Sequence, residues 1–197
     1  MIVLNKPSLV TKILSVLGVI FFCIGLGFGS YLVSYKKKAI DKNRFTISQS
    51  LAFGNKPVMI TFYTLAYLCI IPLVILRGGN MSLKLLRILL LVLSYSLLIT
   101  IIWITTFRNE KQHYIFAAII FLSNLLFQII TIISFYNYVN KKKTLVGAGF
   151  MQLLVVLLLF TFLLKSMNSK LFARLFASFE NVTVLSMGSV LLALGFV

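Results

Sequence analysis

Apart from the two cysteines, four side chains in this sequence of 197 residues could move protons or bind a metal near neutral pH. They are Asp41, Glu110 and Glu180, the only carboxylate side chains, and His113, the only histidine. Three acids and one histidine scattered over this length do not form a recognisable metal-ligand spacing. A serine nucleophile would need His113 as its base and a sharp G-x-S-x-G turn, which is absent. Cys23 and Cys69 both lie in apolar runs and read as small buried hydrophobes, against the alternative of a reactive or lipidated thiol. Catalysis therefore has no constellation to rest on. The chain is read as non-enzymatic and without a cofactor, and the chemistry left to these groups is recognition of a lipid headgroup or a cation.

The stretch from Arg108 to Tyr138 organises these groups. At helical spacing His113, Ala117, Ile120, Asn124, Gln128 and Thr131 fall on one stripe, and most of the other positions are Ile, Leu or Phe. A helix that is apolar on most sides and polar along one seam belongs in lipid, with the seam turned toward other helices.

Composition supports that solvent. The chain is 60% hydrophobic with a mean hydropathy of +1.06, and 11% of its residues are charged. An average soluble protein is about 25% charged, and a soluble domain of this size could not hide so much apolar surface. The net charge is +16, from 19 Lys and Arg against three acids. Such a balance suggests nucleic acid first, but no basic domain lies outside the apolar runs. The cations sit in short gaps between them, where anionic headgroups would be.

The pattern predicts an all-α, polytopic membrane protein: residues 1–197 as a single membrane domain with six transmembrane helices in one bundle. The spans are expected at about 8–35, 57–76, 82–107, 113–138, 144–164 and 179–197. A polar loop covers 36–56 and an amphipathic linker 165–178. Gly18, Gly25, Gly27 and Gly29 in the first span suggest close helix packing. Pro57 opens the second span, and Pro72 predicts a kink near Leu68. Arg77-Gly78-Gly79-Asn80 reads as a tight turn. Lys84 and Arg87 are expected to anchor the first turns of the third span, and Trp103 and Phe107 its far end. Ser94, Ser96 and Thr100 are expected to bond back to their own helix.

Six spans place both termini on one side. The opposite loops hold slightly more Lys and Arg, which by the positive-inside rule would put those loops in the cytosol. Asp41, Glu110, His113 and Glu180 all fall on that opposite face. Together they would form a polar rim for lipid headgroups or a cation, continued inward by Asn124 and Gln128. Each also has a bland reading. Glu180 can complement a helix dipole, Glu110 can balance Arg108 and Lys111, and Asp41 can sit solvated among lysines. His113 can be an interfacial histidine, and Asn124 and Gln128 can be inter-helix glue.

Three short motifs carry a resemblance. They are Ile47-Ser48-Gln49 in the first loop, His113-Tyr114-Ile115-Phe116-Ala117 opening the fourth span, and Glu180 opening the last. With the order of spans, they resemble the six-span DRAM/FRAG-type membrane family and its prokaryotic relatives of unassigned function. Gln49 stands where that family often carries an acid, and Asn181 where it carries a base. The resemblance implies a helical membrane protein of lipid handling, lipid-anchor remodelling or autophagy-type signalling, with cytosolic termini. The leading expectation is thus a multi-pass membrane protein whose polar rim binds lipids, through anionic headgroups, or a protein partner or second copy. The alternatives are a structural component of a large assembly, such as the inner membrane of a virus, and a small transporter.

Overall fold

The computed structural model describes residues 5–32, 54–78, 81–103, 110–139, 184 and 187–196. Among these residues all regular elements are helices. Helix α1 spans Leu9–Ile24 and runs directly into a π-helical segment, Gly25–Leu32. Helix α2 spans Lys56–Arg77, α3 Met81–Trp103, α4 Glu110–Val139 and α5 Met187–Phe196. Four stretches are long and apolar enough to cross a bilayer: Leu9–Gly27, Lys56–Arg77, Met81–Trp103 and Ile115–Ile132. The described part of the expected sixth span, Met187–Phe196, falls short of that length. Six spans are therefore not shown. The expected fifth span (144–164), the linker (165–178) and most of the loop (36–56) lie outside the described residues.

Local chemistry sets the helix ends. Ser8 caps α1 in a reciprocal box: its side chain accepts from the Thr11 N–H at 3.2 Å, and the Thr11 hydroxyl accepts from the Ser8 N–H at 2.9 Å. Asn55 caps α2 by accepting from the Val58 N–H, with Pro57 in the first turn. Gly78 ends α2 with φ +69°, a conformation open to glycine, and its N–H donates to the Ile75 carbonyl at 3.3 Å. Pro72 lies inside α2, and the helix is assigned without interruption through it to Arg77.

The first span departs from the single helix expected at 8–35. At Gly25 the winding widens to π. Here the chain runs close against α2: a Cβ on Gly25 would stand 3.0 Å from the Tyr63 ring, and one on Gly29 would collide with Met59 Cγ. Close packing does not account for Gly27, which has nothing within 4 Å.

Contacts fix the register of the bundle. Along the antiparallel α1–α2 pair, Asn5 meets Arg77, Gly18 meets Ile70, and Gly25 meets Tyr63. Helices α2 and α3 are joined from Gly78–Arg87 at one end to Lys56–Trp103 at the other. Ile101 and Ile102 share a cluster with Phe116, Ala117 and Ile120, while Ser94 bonds Asn124, so α3 and α4 are antiparallel. Helix α5 lies on α1, with Ser15 Oγ donating to the Leu191 carbonyl at 2.9 Å and Thr11 Oγ1 to the Gly195 carbonyl at 3.4 Å. The core runs through Ala66, Tyr67, Ile70, Leu73, Val74, Leu91, Phe127, Leu191 and Leu194. Leu85, Leu86, Leu89, Val92 and Leu93 cover the outward face of α3.

Candidate functional site

The described structure holds two polar regions. The first is the seam expected around Asn124 and Gln128. Its centre is a chain of side chains across three helices. Ser94 Oγ on α3 donates to Asn124 Oδ1 on α4 at 3.1 Å, and the Tyr67 hydroxyl on α2 lies 3.1 Å from the same Ser94 oxygen. A hydroxyl has one proton. With the Ser94 proton committed to Asn124, Tyr67 is the donor to Ser94. A second relay runs beside it: Tyr95 and Thr64 hydroxyls are 2.8 Å apart, and Thr64 donates to the Ile60 carbonyl at 2.7 Å. The Tyr67 and Tyr95 rings pack at 5.0 Å between centroids.

Ser94 thus bridges helices rather than bonding back to its own. Ser96 and Thr100 do bond back, to the Val92 and Ser96 carbonyls at 2.9 and 2.8 Å. Gln128 is less well served. Among the described residues its Nε2 reaches only the Met187 sulfur, at 3.8 Å, and its buried Oε1 has no partner. Thr131 returns its proton to the Phe127 carbonyl at 2.7 Å.

The second region lies at the end of the bundle where α2 stops and α3 starts. Arg77 and Arg87 are both fully buried (0% exposed). Arg77 Nη1 donates to the Asn5 carbonyl. Asn5 in turn serves the end of α2: its N–H donates to the Arg77 carbonyl at 3.0 Å and its Nδ2 to the Leu76 carbonyl at 2.9 Å. Arg87 Nη2 donates to the Gly78 carbonyl at 2.7 Å, whereas Arg87 Nε and Nη1 have no hydrogen-bond partner among the described residues. Those two nitrogens carry three of the five N–H groups of a guanidinium. Arg87 was expected to reach outward as an anchor. It turns inward instead, because it shares the buried face of α3 with Leu91 and Ser94 at helical spacing.

Charge at this end has one sign. Lys84 lies one turn before Arg87, and Lys12 Nζ lies 5.8 Å from the centre of the Phe196 ring, beside the Thr11–Gly195 contact. Among the described residues no acidic residue belongs to this end. Glu110 opens α4 at the other one. From the Ser94–Asn124 crossing, Arg87 is seven residues one way and Glu110 fourteen the other, about 30 Å apart along the axes.

Of the predicted rim, Glu110 and His113 fall in the first turn of α4, but their side chains are not among the described ones. Asp41 and Glu180 lie outside the described residues altogether. No group of three or more His, Cys, Asp or Glu that could hold a metal occurs among the described residues. Sequence reasoning missed the arginine end. The signal available was residue type: these positions hold Arg in a chain whose cations are mostly Lys, and guanidinium is the cation suited to desolvated, bidentate sites. Comparison with protein-family models, with curated proteins and with solved structures returns no match.

Proposed function

We propose that this chain is a multi-pass integral membrane protein, without enzymatic activity, that binds anionic lipid headgroups at the end of its bundle carrying Asn5, Arg77 and Arg87. The supporting observation is the one-sided charge. Every charged side chain described at that end is cationic, and helices able to cross a bilayer carry it there. Each Lys or Arg near an anionic surface contributes about 1 kcal/mol of attraction. The outward leucines of α3 are the surface that acyl chains would cover. This reading also agrees with the lipid handling implied by the DRAM/FRAG resemblance. What favours binding over transport is the seam, where the hydroxyl protons are already committed to partners within the bundle.

The test is lipid selectivity in nanodiscs of mixed phosphatidylglycerol and phosphatidylcholine. The protein's lipid shell is expected to be enriched in phosphatidylglycerol, and the lipid masses to stay unchanged on incubation. Substituting Lys6→Gln, Lys12→Gln and Lys84→Gln together removes three charges, and the preference is expected to fall at least about fivefold. A shell of the same composition in both proteins would refute the binding reading. Conversion of either lipid would refute the non-enzymatic one.

A further inference from the structure

We infer that the surface of this bundle fits a bilayer whose hydrocarbon core is about 30 Å thick, and that two lysine–aromatic girdles mark its boundaries: Lys12 with Phe196 at one, Lys56 with Trp103 at the other. This rests on the multi-pass part of the reading above and goes beyond its headgroup preference. It says which acyl lengths the protein fits and how deep its residues sit.

Both girdles follow one rule. Each lysine lies in the first turn of its helix, Lys12 on α1 and Lys56 on α2. Each ring lies at the C-terminal end of the antiparallel neighbour, Phe196 on α5 and Trp103 on α3. The Lys12 ammonium is 5.8 Å from its ring centre and the Lys56 ammonium 5.2 Å. A long side chain on a helix leans toward the helix N-terminus, so both ammonium groups lean away from the middle of the bundle. Trp103 is 63% exposed and Phe196 48%, so neither ring is packed into the core. An exposed ring with an ammonium over its face suits the level where hydrocarbon gives way to headgroups.

Helix register gives the distance between the two levels. Gly18 meets Ile70, so Lys12, six residues before Gly18, is level with Leu76, six after Ile70. Leu76 is twenty residues from Lys56, about 30 Å along α2, which matches a typical hydrocarbon core. The other helices return the same levels. Ser94 bonds Tyr67, so Lys84, ten residues before Ser94, is level with Arg77. Ser94 also bonds Asn124, so Trp103, nine residues after Ser94, is level with Ile115, nine before Asn124. Ile115 is where the part of α4 able to cross a bilayer begins.

Between the two levels the described residues include one charged side chain, Arg87, and its bond to the Gly78 carbonyl draws the guanidinium back toward the Lys84 level. Ile13, Leu17 and Ile20 on α1, Leu89 and Val92 on α3 and Leu122 on α4 are exposed within the slab. These are side chains that acyl chains would cover.

Trp103 is the chain's only tryptophan, so its fluorescence reports the depth of one girdle in the unmodified protein. The full chain is placed in uncharged phosphatidylcholine vesicles carrying a spin label either near the glycerol or near the acyl-chain end. The shallow label is expected to quench Trp103 at least about threefold more than the deep one. Trp103→Phe combined with Phe196→Trp moves the reporter to the other girdle, where the same ranking is expected. Deep quenching that equals or exceeds shallow quenching at either girdle would overturn the inference while leaving the multi-pass reading standing. Quenching by aqueous iodide with none from either lipid label would overturn both.

Thickness is tested by melting in dimyristoleoyl, dioleoyl and dierucoyl phosphatidylcholine. The midpoint is expected to be highest in the dioleoyl lipid, with losses in the thinner and the thicker bilayer. A maximum in either of the others, or equal midpoints in all three, would overturn the match. Lys12→Met with Lys56→Met is expected to reduce those losses at least about twofold, because the fixed charges no longer resist a shift in depth. Undiminished losses would overturn the part given to the lysines.

Discussion

The seam at Tyr67, Ser94 and Asn124 and the arginine end at Arg77 and Arg87 intrude into the same apolar bundle in opposite ways. In the seam, polar groups from three helices meet each other at 3.1 Å. At the arginine end, Gly78 accepts one bond from Arg87, while two further nitrogens of Arg87 lack partners among the described residues. A group satisfied within the protein holds helices together and needs nothing further. A buried cation left with donors in hand carries a desolvation cost. Polar residues in a membrane helix are thus best judged by whether their hydrogen-bonding capacity is used, and Ser94 and Arg87 fall on either side of that division.

The sharpest way to break the contrast is Arg87→Met in lipid-free detergent. Replacing an uncompensated buried charge with an apolar side chain of similar length is expected to raise stability by about 1–4 kcal/mol. A loss of that size in chemical or thermal denaturation would mean that Arg87 is already compensated inside the protein. Next comes Asn5→Ala. It removes the Nδ2 bond to the Leu76 carbonyl at the end of α2, and a loss of about 1 kcal/mol is expected, read as earlier hydrogen exchange at the end of α2.

The seam should give smaller numbers. A double-mutant cycle of Ser94→Ala and Asn124→Leu is expected to yield a coupling of about 0.6 kcal/mol, and no more than about 1.7. A coupling of zero would remove the Ser94–Asn124 bond as a helix tie. Smallest of all is Gln128→Leu. Because Oε1 is unpartnered and Nε2 reaches only a sulfur, the change is expected to stay within about 0.5 kcal/mol or to stabilise. A loss above 1.5 kcal/mol would show that Gln128 belongs with the satisfied groups.

Much of the scaffold was legible in the sequence. Asn55-Lys56-Pro57 announced the start of α2 and Gly78 its end, and the apolar runs located α2, α3 and α4 to within a few residues of their observed limits. The inward face of α3 was not legible. Its sequence is apolar nearly all round, so no stripe told which side would be buried, and neither the inward turn of Arg87 nor the bridging role of Ser94 could be read. The widening at Gly25 was hidden for a related reason: hydropathy does not distinguish π from α winding. Asn124 was legible as a seam residue because the fourth span has enough polar spacing to mark a face. Its partner on α3 depended on register, which no single helix contains.

The bonds between α1 and α5 set a timetable. Ser15 and Thr11 leave the ribosome about 180 residues ahead of the carbonyls they serve on α5. During that interval Thr11 has the Ser8 carbonyl, 2.8 Å away, as a partner within its own turn, while the described Ser15 bond has to wait. The helical hairpins of α1–α2 and α3–α4 can therefore form during synthesis, but the notch on α1 closes only when α5 arrives. A chain cut before Met187 would leave Ser15 without its described partner on α5, so docking of that helix is the step that completes the α1 contact.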